Sequence, residues 1–419
     1  MIIIRKKYLD KIYRSVKQAP IVILIGTRQV GKTTLLKSLE FNEKSVFFNG
    51  QDAEVAELFQ KNSVIENYLM LNLNEEKKGY MYIDEFQYIN NISTALKVLT
   101  DNNPDLKIIC TGSSSLDILQ KVEESLAGRV RIIEVFSLSF EEYLQFNDTG
   151  LYELYLKYDS QTQDIMVDKK IHFFFNDYLI YGGLPRVALE KNNTAKTELL
   201  DDIYKTYLVR DVRQFVKNED FIGFNKLLKI LSSQIGNMIN INELSKTCSL
   251  NYKKTEEYLS LLEQMYIIKL INPYNTNKRK VITKMKKLYF SDLGLRNMLY
   301  QDFKQIETRT DNGALFENFV YLEVKKNLNK AFAIYYYRTI DGSEIDFIID
   351  NLREKFSLEV KYKKFEKPVF YKNLDNFNKL EQITKTYLIN KNFNHISENI
   401  QYIQGYLSGK LSFDYQQIK

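Results

Sequence analysis

"IVILIGTRQVGKTTLLKSL", residues 21–39, decides how the first third of this chain folds. Five apolar residues, Ile21 to Ile25, make a short strand buried on both faces. Gly26 follows, then four residues, then Gly31-Lys32-Thr33 and a helical pattern that turns Leu35, Leu36 and Leu39 inward. The two glycines let the backbone turn tightly enough for its amides to face phosphate oxygens, and the helix that follows adds its dipole. The spacing predicts a phosphate cradle formed by Gly26, Thr27, Arg28, Gln29, Val30, Gly31, Lys32, Thr33 and Thr34. In such a cradle Lys32 reaches the β- and γ-phosphates of ATP, and the Thr33 hydroxyl is offered to Mg²⁺.

A cradle needs an acid pair, and "GYMYIDEFQYI", residues 79–89, supplies one at the end of an apolar strand. Asp84 is placed to hold Mg²⁺ through water and Glu85 to polarise an attacking water. The alternative, a polar strand end, loses ground to the cradle upstream. A further strand, "LKIICTGSSS" at 106–115, ends in hydroxyls. Ligands of open parallel sheets bind beyond the carboxyl ends of the strands, so Thr111 or Ser113 is a candidate to sense the γ-phosphate or hold the lytic water, or else part of a strand-end turn. "SVFFNG", 45–50, reads as another strand. Arg129 and Arg131 precede one more, and either is a candidate to neutralise transition-state charge, in its own subunit or in a neighbour's; the alternative is a surface arginine.

"GTRQVGKTTLL", "YMYIDEFQ", "TGSSS", "LAGR", "FSLSFEEYL" and "YGGLP" together resemble the bacterial and archaeal AAA-family ATPases whose C-terminal part is the domain of unknown function 4143. The resemblance runs over nearly the whole chain. It implies ATP binding at the loop and acid pair, and leaves the physiological load unnamed. Arg28 and Gln29 match the family's form of the cradle, and Glu85 and Gln87 its continuation of the acid strand. "YLIYGGLPRVAL", 178–189, then marks a break near the nucleotide or a subunit contact, with Arg186 as a possible second arginine. Residues 198–218 read as a long amphipathic helix.

From 221 to 300 the pattern is three helices and then two strands around a loop, a winged-helix order. Lys253 and Lys254 open the third helix; Lys278, Arg279, Lys280, Lys284, Lys286 and Lys287 decorate the hairpin. These basic residues are candidates for DNA phosphate contact, most of all Lys253, Lys254, Lys278, Arg279 and Lys280; the alternative is a protein-docking module with solvated lysines.

In the last third, "NGALFENFVYLEVKK" at 312–326 reads as an amphipathic helix carrying Glu317. Strands follow with Asp346 between apolar neighbours in "GSEIDFIIDN", and with Glu359 and Lys361 on one face of "FSLEVKY". This resembles the restriction-endonuclease-like core. The resemblance implies that Glu317, Asp346 and Glu359 bind Mg²⁺ or Mn²⁺, with the Val360 carbonyl nearby, while Lys361 steers a water. Cleavage, binding without cleavage, and internal ion pairing of the same residues all remain open at this stage.

The expected fold class is α/β: an AAA/ASCE-type P-loop NTPase domain with a parallel sheet, a winged-helix domain and a restriction-endonuclease-like domain. The expected boundaries are 1–190, a connecting helix at 191–220, then 221–300 and 301–419. A chain of 419 residues, 44% hydrophobic and 27% charged, has room for these cores. Its net charge of +6 permits nucleic acid as a partner without requiring it. Two cysteines, Cys110 and Cys248, are too few for a metal cluster and read as reduced structural residues of a cytoplasmic protein. No signal-peptide pattern opens the chain, and no apolar run approaches the roughly 20 residues of a membrane span. Homo-oligomers or a protein partner are compatible with this reading. His172 is expected to pack within a helix.

Overall fold

The computed structural model describes residues 4–112, 125–158, 164–211, 215–274, 285–339, 342–369, 371–397 and 400–413. The chain forms two compact units, Met1–Ser137 with Leu261–Ile267, and Leu138–Ser260 with Ile268–Lys419. The first break thus falls at 137, not at the expected 190, and the segments expected to be separate domains at 221–300 and 301–419 lie largely in one unit.

The first unit is built on a sheet of β1 (Ile21–Ile25), β2 (Ser45–Asn49), β3 (Gly79–Asp84), β4 (Leu106–Gly112) and β5 (Val130–Glu134), in the order β2-β3-β4-β1-β5. Every pairing is parallel. All five residues of β1 are buried, as a strand covered by helices on both faces requires. Parallel pairing brings all carboxyl ends to one edge. There Leu24 lies opposite Thr111, and Ile83 opposite Cys110, so the loop after β1, the acid pair after β3 and the hydroxyl on β4 share that edge.

In the second unit β8 (Ala333–Arg338), β9 (Glu344–Asp350), β10 (Lys355–Val360), β11 (Lys385–Asn390), β12 (His395–Ile396) and β13 (Ile400–Gln404) form one sheet in the order β12-β13-β11-β10-β9-β8. β8, β9 and β10 are antiparallel neighbours, while β11 returns parallel to β10 after the helix Lys372–Glu381. Three helices, Phe221–Ser233, Ile241–Cys248 and Tyr252–Gln264, precede the antiparallel pair β6 (Ile268–Ile271) and β7 (Lys287–Phe290). β7 has backbone partners on its other side too, from Gly236 to Ile239. Lys278, Arg279, Lys280 and Lys284 lie outside the described residues, as does Ser113.

Two helices differ from expectation. The stretch read as one helix over 198–218 ends its α-helical part at Ile203 and continues as a π-helical segment, Tyr204–Asp211. The helix Asn312–Asn327 is not amphipathic: nine residues, including Asn318 and Glu323, are buried around its circumference. Its polar residues are matched individually. Asn318 gives and takes a hydrogen bond with the backbone of Phe290 on β7. Glu323 accepts the Phe140 amide at 3.2 Å and pairs with Lys326, whose ammonium also donates to the Leu138 carbonyl at 2.8 Å. A helix whose polar groups are satisfied internally can sit in a core on all sides. His172 is half-buried in the helix Ile165–Tyr181, its ring edge-on to Tyr406, and Cys110 and Cys248 are buried thiols.

"YGGLP" acquires a physical reason within the second unit. The Gly183 amide donates to Asp292 Oδ2 at 2.9 Å, while Asp292 Oδ1 caps the helix Leu293–Tyr300 by accepting the Leu295 amide. Asn297 of that helix donates to the Leu179 and Ile180 carbonyls at 3.0 and 2.8 Å. Gly182 has φ +76°, and a Cβ there would lie 2.3 Å from Asp292 Oδ1. Arg186 is exposed. The motif locks two helix ends together. Gly182→Ala combines left-handed strain with a clash and should cost roughly 2–4 kcal/mol; a urea midpoint equal to that of the unchanged protein would refute the lock.

Candidate functional sites at a phosphate loop and a buried carboxylate cluster

The loop after β1 is held open by backbone conformations that few residues adopt. Gly26, Gln29 and Gly31 have φ of +148°, +63° and +92°. Lys32 is buried, and its Nζ donates to the Gly26 carbonyl at 2.9 Å and the Thr27 carbonyl at 2.7 Å. Burial pushes the Lys32 ammonium down to about 8, against the opposing pull of Glu85 and Asp84. Carbonyl dipoles satisfy its hydrogen bonds but do not replace the hydration of a full charge.

Thr33 and Asp84 meet at this edge, with the hydroxyl 3.1 Å from Oδ1. Two hard oxygen donors from different elements suit Mg²⁺, which binds through one or two such groups and keeps its remaining waters. Thr111 is fully buried. It donates to Asp84 Oδ1 in a short contact and accepts the Glu85 amide at 3.1 Å. It therefore braces the acid pair from behind instead of presenting a hydroxyl to phosphate. Glu85 has φ +51°, and the Gln87 amide donates to its Oε2. Arg28 donates to the Tyr88 hydroxyl at 3.1 Å.

Arg129 goes elsewhere. Its carbonyl accepts the Ile21 amide, at the amino edge of the sheet, and its guanidinium grips Asp101 at 2.7 and 3.3 Å. The loop begins after Ile25, so a strand length of roughly 13 Å separates the two at about 3.3 Å per residue. Arg129 cannot act on the loop of its own chain. Arg131 sits two residues further along, paired with Val22. A residue unmarked in sequence does reach the loop: buried Arg5 donates to the Val30 carbonyl at 3.0 Å and the Phe136 carbonyl at 2.9 Å, and stacks over Tyr8. A lone arginine near the amino terminus carries no pattern that would have singled it out.

In the second unit the sheet does gather Glu317, Asp346, Glu359 and Lys361, but in the company of a residue expected on a solvated hairpin. Lys287 of β7 is buried, with Nζ 2.8 Å from Glu317 Oε1, 2.7 Å from Glu344 Oε1 and 3.6 Å from Asp346 Oδ1. Tyr289, two residues along and on the same face, donates to Glu317 Oε1 at 2.6 Å. The Val360 amide donates to Asp346 Oδ2 at 2.8 Å, and Lys361 lies 2.5 Å from Glu359 Oε1. Burial lowers the Lys287 pKa, but Glu317, Asp346 and Glu344 outweigh it and keep the ammonium charged. Burial, with Asp346 adding to it, lifts both Glu317 and Glu359 to about 7.

The arrangement does not fit a divalent ion as it stands. Among the described residues no three carboxylate, histidine or cysteine groups are disposed to hold a metal. Lys254, expected at phosphate, is spent on Asp220 at 2.8 Å and Glu219 at 3.0 Å, with Tyr258 donating to the same Asp220. Lys253 is exposed beside Glu257.

Residues 18–144 match the family model of the AAA domain, 173–307 that of a domain of unknown function (DUF8612) and 312–404 that of a domain of unknown function (DUF4143). An uncharacterized protein of Mycobacterium tuberculosis is 26% identical, over 86% of this chain and 74% of its own. Another, of Methanocaldococcus jannaschii, is 24% identical over 85% and 80%. The solved Walker-type ATPase of Pyrococcus abyssi is 14% identical over 71% of this chain and 96% of its own, with a TM-score of 0.49. No described helix is long and apolar enough to cross a membrane.

The carboxylate cluster has a pH signature. Glu317 and Glu359 hold protons in the folded chain that the unfolded chain releases near its ordinary value of about 4.3. Their contribution is full below that value and is lost as pH rises through about 7. The urea midpoint should therefore fall between pH 5 and pH 8, and Glu359→Gln should flatten the fall. A midpoint that rises over this range in the unchanged protein and in the variant alike would contradict the raised values.

Proposed function

We propose, for a chain built of an AAA domain followed by a DUF4143 domain, that the first unit binds ATP with Mg²⁺ and hydrolyses it, and that the second unit receives the resulting change of state. The observation that carries this is the meeting of Lys32, Thr33, Asp84 and Glu85 at the carboxyl edge of one parallel sheet. Lys32 leaves the Gly26 and Thr27 carbonyls for the phosphates, which return to it the charge stabilisation it lacks. Thr33 and Asp84 would hold Mg²⁺, which would neutralise charge on the phosphate oxygens. Glu85 takes the proton of the attacking water, its carboxylate oriented by Gln87 and its amide by Thr111.

The element order of the second unit supports two further readings: a winged-helix plan for the three helices and the antiparallel pair, and a restriction-endonuclease-like plan for the helix, three antiparallel strands and parallel return. Action on DNA as a nuclease needs open carboxylates and unpaired basic side chains. Lys287, Lys361 and the Val360 amide engage the carboxylates, and Lys254 is engaged by two acids. These contacts favour the second reading: an ATP-gated regulatory protein whose C-terminal half docks a partner and does not cut. Plasmid DNA with Mg²⁺ or Mn²⁺, with and without ATP, tests it; cleavage abolished by Asp346→Ala would reinstate the nuclease.

Phosphate release and nucleotide binding test the ATPase. Lys32→Ala should weaken ATP binding by roughly 1.5–3 kcal/mol. Glu85→Gln should keep binding and slow hydrolysis roughly 10²-fold or more, while Arg129→Ala should leave monomer turnover unchanged. Normal turnover in Glu85→Gln would remove it as the base. Because phosphate raises the depressed Lys32 pKa, ATP binding near pH 8–9 should take up protons, visible in calorimetry as a heat that depends on the buffer's ionisation enthalpy. Affinity should fall as pH rises above about 8. A buffer-independent heat would detach Lys32 from the phosphates.

A further inference from the structure

The carboxylate cluster of the second unit has the acids of a cation site, and its cation is already present. Glu317 comes from the helix Asn312–Asn327, Glu344 and Asp346 from β9, and Glu359 from β10. Asp346 and Glu359 are buried, while Glu317 and Glu344 are partly exposed and Glu344 also faces Arg338; carboxylates gathered from three elements in this way repel one another unless a positive charge lies between them. Lys287 meets three of the four, at 2.8, 2.7 and 3.6 Å. Its stem enters from β7, a strand of the hairpin and not of the six-stranded sheet. Only 1% of Lys287 is exposed, so its ammonium exchanges no hydrogen bonds with bulk water.

The fourth acid marks what the lysine leaves undone. Glu359 is 8% exposed; its Oε1 is held by Lys361, and its Oε2 is buried without a hydrogen-bond partner. A buried carboxylate oxygen with no donor is costly, and it is the lone pair a metal would take. Asp346 Oδ1 has Lys287 at 3.6 Å, an electrostatic distance and not a hydrogen bond. The cluster therefore has an acceptor set larger than one ammonium satisfies, around a position that the ammonium occupies.

We infer that Lys287 is a resident cation standing in the place of a divalent metal, so that the cluster excludes metal while β7 is docked and becomes a Mg²⁺- or Mn²⁺-binding site when the lysine charge is withdrawn. The device is an internal plug: the hairpin strand carries the charge, and the acids belong to the module it plugs. It rests on the reading of this unit as a restriction-endonuclease-like core that does not cut, and supplies the reason it does not. Lys361 keeps its partner Glu359 throughout, so the plug acts through one lysine and leaves the other acid–lysine pair in place.

Counting bound Mn²⁺ from the electron paramagnetic resonance signal of the free ion tests this. The full chain is used without nucleotide and with Asp84→Asn, which silences the other candidate metal position. That protein should bind no Mn²⁺ at the cluster. Adding Lys287→Met should create one site per chain, binding at least about tenfold more tightly than any residual binding before, and Asp346→Asn on top should abolish it. If Lys287→Met does not fold, Lys287→Gln keeps a neutral donor to Glu317 and Glu344 and serves in its place. Stoichiometric binding with Lys287 intact that is lost on Asp346→Asn would overturn the inference. A folded Lys287 variant that binds no Mn²⁺ would overturn it equally. Failure of the ATPase reading shows in phosphate release and failure of the non-cutting reading in plasmid cleavage, so each is read separately from the Mn²⁺ count.

Discussion

An ammonium group taken out of water must find either dipoles or opposite charge inside the protein. Lys32 and Lys287 are two such groups. Lys32 finds two carbonyls of its own loop. Lys287 finds three carboxylates. The difference decides what each lysine can do. Dipoles leave the Lys32 charge under-stabilised, and its pKa falls to about 8. Full charges over-stabilise Lys287, and its pKa rises despite burial. The first lysine has a reason to move toward an incoming anion. The second already has its anions.

The same economy of donors shapes the surroundings of both. At the loop, Thr111 spends its hydroxyl on Asp84 and the Glu85 amide, so the acid pair is aimed before any nucleotide arrives. Arg5 donates its guanidinium to two backbone carbonyls, one in the loop and one just after β5, and so ties the cradle to the neighbouring strand's end. At the cluster, Tyr289 and the Val360 amide add donors to acids that already have a lysine. One centre holds its lysine with dipoles and the other with full charges, a distinction that residue type alone does not carry.

Buried polar groups also explain why the second unit is not the string of separable domains that its sequence suggests. The helix Asn312–Asn327 hands Asn318 to the backbone of β7 and Glu323 to the amide of Phe140. Segments from 138, from 287–290 and from the last hundred residues thus lie in one compact unit. Asp292 does the same for the glycine pair at 182–183. Each of these contacts joins residues more than a hundred positions apart or crosses an expected boundary, and each removes an amide or acid that would otherwise be buried unsatisfied.

The loop strand, the acid strand, the helix order at 221–264 and the strands β9 and β10 were all legible in the sequence, because they rest on local rules: apolar period, glycine spacing and turn chemistry. So was the grouping of Glu317 with Asp346, Glu359 and Lys361, through strand periodicity and a family likeness. Only the tertiary structure decided that Arg129 faces away from the loop, that Thr111 braces instead of sensing, that Lys254 is tied to Asp220, and that Lys287 sits among the acids. A basic residue in a hairpin reads the same whether it faces solvent or a carboxylate, since its partners come from elements 30 to 59 positions away. Local pattern determines which elements form and which faces are apolar; the neutralisation of a buried charge depends on which distant elements pack against it.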